Sequence, residues 1–250
     1  MVDWGFKETE GEIRTTYLAV TTTKTAVHTT NIQPWSTTRK GELLSRLHDK
    51  ERILTHAAAL ELIAKKTTIP VPKLLGVGEN PDGSAWIEIE RTHGGIYLEL
   101  VQHRCRMPPG KKHTSTDTEC AECERIAMAN ARRYIQDEIL PQLDSLRSDT
   151  TGLNGTVIPP LWIMDYDPAT KWLPKKAVVG EEEYVFCHGN LHAHSILMHP
   201  ETLHVMKVVD WDNAGFFPKE FQLWTTERDK YEELFFDNKE RCKELSDMMV

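Results

Sequence analysis

The chain of 250 residues has no apolar run approaching the ~20 residues that a membrane-spanning helix needs. Nor has it an excess of positive charge. Lys and Arg number 30 and Asp and Glu 38, a formal charge of −8 with His neutral. That balance argues against a nucleic-acid partner and against docking on an anionic membrane. The first residues, MVDWGFKETEGEIR, lack the apolar core of a secretion leader. The five cysteines, Cys105, Cys120, Cys123, Cys187 and Cys242, are odd in number. Together these features predict reduced thiols in a cytoplasmic protein. There is no internal repeat, and the only compositionally biased tract is a Thr-rich segment near the start.

What is present reads as one medium-sized globular protein. Hydrophobic residues make up 40% and charged residues 27%, enough to build a substantial core. Residues 15–32 are rich in Thr and Val and predict two thin strands joined near Thr23–Thr25. Residues 51–66 predict a helix, with Ile53, Ala57, Leu60 and Ala64 at helical spacing and the Ile-Pro-Val-Pro run stopping it. Two strands, 73–78 and 85–90, should flank the Asn-Pro-Asp-Gly turn. Residues 121–147 predict a long helix that Pro141 kinks or divides.

The segment 184–224 carries most of the chemistry. A short apolar run, Tyr184–Cys187, ends in His188-Gly189. Two further apolar runs, 196–198 and 203–209, are separated by His-Pro-Glu-Thr, a hairpin pattern that ends at Asp210. The pattern brings the 188–195 loop beside Asp210, and a carboxylate at a strand end facing a polar loop suits a divalent metal. Trp211, Phe216, Phe217, Phe221 and Trp224 read as core aromatics.

The loop His-Gly-Asn-Leu-His-Ala-His-Ser (188–195) and the strand end Val-Val-Asp-Trp-Asp (208–212) resemble a known pair of motifs. They are similar to the HGDLHPGN loop and IDW(E/D) strand end of aminoglycoside- and choline-kinase-type phosphotransferases. The flanks YVFCHGNL, AAALELIAKKTTIPVPKLLGV and AWIEIERTHGG also resemble fungal members, so the likeness runs from about residue 51 to 224. It implies an α+β, bilobal protein-kinase-like fold. A small β-rich N-terminal lobe over residues 1–91 would precede a larger helical C-terminal lobe over 92–250.

In such enzymes a loop Asp takes the acceptor proton, a loop Asn and the strand-end Asp hold Mg²⁺, and a Lys–Glu pair positions the ATP phosphates. By this resemblance Asn190 stands at the base position, Ser195 and Asp210 at the metal positions, and His56 or Ala58 at the helix Glu. Lys24 and Lys50 are the lysines at hand, and no glycine-rich phosphate loop is seen. The backbone of Glu88, Ile89 and Glu90 would read an adenine. The expectation is therefore a diverged member, not an efficient kinase, that binds a small molecule between the lobes and needs no cofactor. Asn190, His192, Asp210 and Asp212 would serve acid–base chemistry there, with one of the two carboxylates raised in pKa unless an imidazole neutralises the pair. The alternatives are an active ATP- and Mg-dependent aminoglycoside-type phosphotransferase and a non-catalytic pseudokinase binding module.

Two histidine and cysteine patterns invite metal readings. His188, His192 and His194 have ligand spacing, but two of them match loop histidines of the family, so a structural role is expected. Cys120-Ala-Glu-Cys123, with His103, Cys105 and His113 upstream, carries zinc-ligand types. With no second CxxC in an irregular segment, the expectation is a pair of thiols at a helix start.

Overall fold

A computed structural model describes residues 6–10, 13–17, 21–26, 36–37, 43–44, 49–114, 118–167, 171–178 and 183–250. The first part is an antiparallel sheet. Its strands are β1 (Phe6–Glu10), β2 (Ile13–Tyr17), β3 (Thr21–Ala26), β4 (Leu74–Glu79) and β5 (Ala85–Glu90), in the order β1-β2-β3-β5-β4. The Thr-rich tract holds two strands as expected, but the break falls before Thr21 and not at Thr23–Thr25. β-Branched Thr prefers extended backbone, and no Gly, Pro or Asn is there to reverse the chain. Residues 18–20 and 27–32 of that tract lie outside the described residues.

Helix α1 (Asp49–Lys66) packs on this sheet. Its buried face combines small Ala57 and Ala59 with Ile53, Leu60 and Ile63, which meet Ala85 and Ile87 of β5 in one core. After β5 the chain leaves the sheet, and Ile96–Tyr97 already pairs with a strand of the second part.

Helix α2 (Ala121–Tyr134) runs on through a wide turn at Ile135–Ile139 into Leu140–Ser145. Leu140 N–H reaches back to Ile135 O, one residue beyond the α-helical partner. Pro141 follows at once and has no N–H to give, so the helix widens ahead of the proline without ending there. Cys123, Ala127, Ala131, Ile135 and Ile139 lie buried in the main core with Phe186 and Trp211.

Strand β6 (Tyr184–Cys187) pairs with β9 (Gly215–Phe217) and with Arg147–Ser148. Strands β7 (Ile196–Met198) and β8 (Val205–Val208) form the expected hairpin. A second, aromatic core gathers Trp162, Trp172, Phe217, Phe221 and Phe235 with Leu245 and Met249 of the final helix. Phe216 and Trp224 are only partly buried, against the main core. The whole is an α+β fold with a β-rich first part and a larger, mainly helical second part. Among the described residues no helix is long and apolar enough to cross a membrane.

Candidate functional site

Strand β6 is buried from Val185 to Cys187, and the chain turns at once into the 188–195 loop. Gly189 makes the turn at φ +82°, where a Cβ would sit 2.2 Å from the Asn213 carbonyl oxygen. Only glycine fits both the backbone angle and that approach.

Two backbone contacts clamp the loop to the end of β8. Val209 N–H donates to Ser195 O at 2.9 Å, and the Val209 carbonyl accepts from His188 Nε2 at 3.0 Å. His188 Nδ1 in turn accepts from Asn190 N–H at 3.3 Å, which fixes the Nε2–H tautomer. The ring packs 4.4 Å from that of Trp211. Asp210 follows with φ +63°, a left-handed backbone that an Asp adopts at some cost. The loop and the strand end thus lie side by side.

Each expected site residue has a definite setting. The Asn190 side-chain oxygen accepts from Tyr231 OH at 3.4 Å. Ser195 is buried; its hydroxyl accepts from His192 N–H at 2.9 Å and sits 2.9 Å from His192 O and 3.1 Å from Asn190 O. It fastens the loop to itself. His192 is buried too, with Nδ1 accepting from His194 N–H and its ring 4.2 Å from that of Tyr231. Exposed His194 pairs with Glu99.

Asp212 receives Arg52 of α1. Nε donates at 3.0 Å, Nη2 makes a second contact, and Nη2 also reaches Asn213 Oδ1 at 3.3 Å. The group hydrogen-bonded to the Asp212 carboxylate is therefore a buried guanidinium and not an imidazole.

The imidazole expectation fails for a plain reason. Burial pushes His188 down to about 4 and His192 to about 3, because a charged ring would lose its water. His192 stays neutral near pH 7 and cannot exchange protons there as an imidazole in water would. Burial likewise pushes the Tyr231 hydroxyl up to about 12.

Both histidines take up protons more readily unfolded, near 6.5, than folded, so their contribution to stability is full above about pH 6.5 and is lost as pH falls below it. At pH 5 each should cost about 2 kcal/mol, a combined fall in melting temperature of roughly 8–16 °C. His192→Asn, which keeps an acceptor for His194 N–H, should make the acid slope shallower. An unchanged slope in that variant would remove His192 from the account.

Glu88, Ile89 and Glu90 lie inside β5, which pairs with β3 on one side and β4 on the other. Glu90 N–H donates to Lys73 O at 2.8 Å. Backbone groups engaged in a central strand are poorly placed to read a base, whereas residues 91–95 carry no strand pairing. Lys24 lies on β3, opposite Ile87 of β5. The third strand is the one that carries the phosphate-binding lysine in protein kinases.

Sequence reasoning missed Arg52, Tyr231, Glu99 and Trp162, whose Nε1–H donates to Gly189 O at 3.2 Å. Arg52 alone left a signal, a charge on the apolar face of the predicted helix.

No curated protein sequence matches this chain. Among solved structures, it is similar to an apo thermostable mutant of aminoglycoside phosphotransferase APH(4)-Ia. Identity is 12% and the TM-score 0.49, over 87% of this chain and 70% of that one. A ternary complex of the same enzyme with ADP and hygromycin B matches at 12% identity and TM-score 0.45, over 85% of this chain and 67% of that one. The GDP and kanamycin complex of APH(2")-IIIa matches at 10% and 0.41, over 100% and 80%. In sequence, the family model for the phosphotransferase enzyme family matches residues 9–226. With that match spanning both the sheet and the clamped loop, the chain belongs to the phosphotransferase enzyme family.

Proposed function

We propose that this protein binds a small molecule between its sheet and the 188–195 loop and transfers phosphoryl groups inefficiently. One observation carries the reading. The loop keeps the frame of a phosphotransferase site, but an amide, Asn190, stands where the family has its proton-accepting carboxylate. An amide can orient a hydroxyl and cannot take its proton.

The donors for magnesium do not fit two-point binding. Ser195's hydroxyl is engaged within the loop, and Asp212 is paired with Arg52. Of the family's two metal positions the Asp is kept as Asp210 and the Asn is replaced by Ser195. Asp210 and Asn190 then act as hydrogen-bonding groups toward a ligand. The position of Lys24 on β3 favours the competing reading, an ATP- and Mg-dependent aminoglycoside-type phosphotransferase.

The two readings separate in one pair of measurements. Titration calorimetry with ATP and Mg²⁺ should give a Kd weaker than about 0.1 mM, some 5–6 kcal/mol of binding at most. Nucleotide turnover with an aminoglycoside panel should stay below about 0.1 s⁻¹, against ~1–100 s⁻¹ for working kinases. A Kd in the low micromolar range, or turnover within the working range, establishes the competing reading instead.

A further inference from the structure

Away from the cleft, Cys105, His113, Cys120 and Cys123 converge, with one ligand atom from each inside 4.8 Å of all the others. Cys105 Sγ lies 3.9 Å from Cys123 Sγ. His113 Nδ1 lies 3.6 Å from Cys120 Sγ and 3.5 Å from Cys123 Sγ. A zinc ion at the centre of a tetrahedron, with bonds of about 2.3 Å to sulfur and about 2.0 Å to nitrogen, sets edges of about 3.8 Å between sulfurs and about 3.5 Å between sulfur and nitrogen. These three separations match those edges. They are too long for a disulfide, whose sulfurs lie about 2.05 Å apart, and all five cysteines are free thiols. His103, counted with this group in the sequence, is not part of it.

We infer that Cys105, His113, Cys120 and Cys123 form a structural Cys₃His zinc site. Four protein ligands close the coordination sphere and leave no position for substrate, as structural sites do. Two backbone amides complete the surroundings of the thiolates. Arg106 N–H donates to Cys123 Sγ and His113 N–H to Cys105 Sγ, each at 3.3 Å. Such donors lower the charge density on metal-bound sulfur and hold it in place.

The segment has need of a metal. Between His103 and Glu119, Cys105 is the only buried residue among those described, and Met107 alone adds a partly buried apolar side chain against the main core, so little apolar packing holds this stretch. A zinc ion ties it to Cys120 and Cys123 at the start of α2, where Cys120 N–H also bonds Gln102 O at 2.8 Å. The turn that leads into the segment, Leu98–His103, carries Glu99, the partner of His194. The metal would therefore brace the outer wall of the candidate site without entering it.

Tag-free protein purified without added metal should contain one zinc per chain by mass-spectrometric metal analysis. Cys120→Ser combined with Cys123→Ser should lose it, and Cys242→Ser, in the second core, should keep it. Stripping the wild type with a chelator should lower its melting temperature. Reloading the stripped protein with Co²⁺ should give the sulfur-to-cobalt charge-transfer absorption of a tetrahedral thiolate site. The cobalt spectrum needs no variant, so it decides the matter even if the double variant fails to fold. Wild type without zinc, zinc retained in a folded double variant, an intact mass two protons short, stripping that leaves the melt unchanged, or cobalt without thiolate bands would each overturn the inference.

Discussion

Arg52→Met should lower the melting temperature by roughly 6–12 °C, the equivalent of about 3 kcal/mol in a chain of this size. Arg52 lies in α1, and its side chain is 5% exposed against 22% for Asp212. Two contacts from one guanidinium to one carboxylate oxygen, with a third to Asn213, tie α1 to the strand end. Removing the cation takes the forked guanidinium contact away from a carboxylate that is largely out of water. That loss, more than the pair's net attraction, is what the melt should register. Asp212's partial exposure keeps the cost at the lower end of the range for buried pairs.

The pair itself need not be stabilising. Arg52→Met with Asp212→Leu should recover much of the lost stability, because both desolvation penalties then vanish together. Arg52→Lys should fall between, since an ammonium cannot give the forked contact. A single variant that melts with the wild type, or a double variant no better than the single, would show that the contact does not hold α1 to the site.

The elements near the site were legible in proportion to how local they are. The β6–loop–hairpin run spans 184–210 without a break, and its apolar stretches and turn residues suffice to bring Asp210 beside the loop. Arg52 and Asp212 are 160 positions apart, and nothing in either neighbourhood names the other. Tyr231 is 41 positions from Asn190 and lies in a helix with no motif of its own. For His192 the residue type suggests a proton carrier, but burial, which the sequence does not show, lowers its pKa. The strand order around Glu88–Glu90 was not legible either. That β5 is internal, with neighbours on both sides, depends on β3, which pairs with it from more than sixty positions away. The cysteines show the reverse case. Their spacing alone was weak, and the fold brings the four ligand atoms together.

Gly189→Ala should be at least as damaging as the loss of Arg52, and a second glycine shows why. Gly83, in the turn between β4 and β5, has φ +83°, nearly the φ +82° of Gly189. A Cβ at Gly83 meets nothing within 4 Å, so Gly83→Ala costs only the left-handed backbone, about 1–2 kcal/mol. At Gly189 the same methyl lands 2.2 Å from Asn213 O and 2.8 Å from Asn213 C. Neither atom belongs to a flexible side chain. Asn213 is further held by Arg52 and by its own Nδ2–H donating to Pro159 O at 3.1 Å. The backbone must therefore move, and the movement separates the 188–195 loop from the Asp210–Asn213 segment. Expected is a loss of about 3–5 kcal/mol, roughly 6–20 °C in melting temperature. The contrast between the two variants isolates the close approach from the backbone angle. If Gly189→Ala melts no lower than Gly83→Ala, the loop and the strand end are not held in contact as the geometry requires, and a ligand site built on their closeness falls with it.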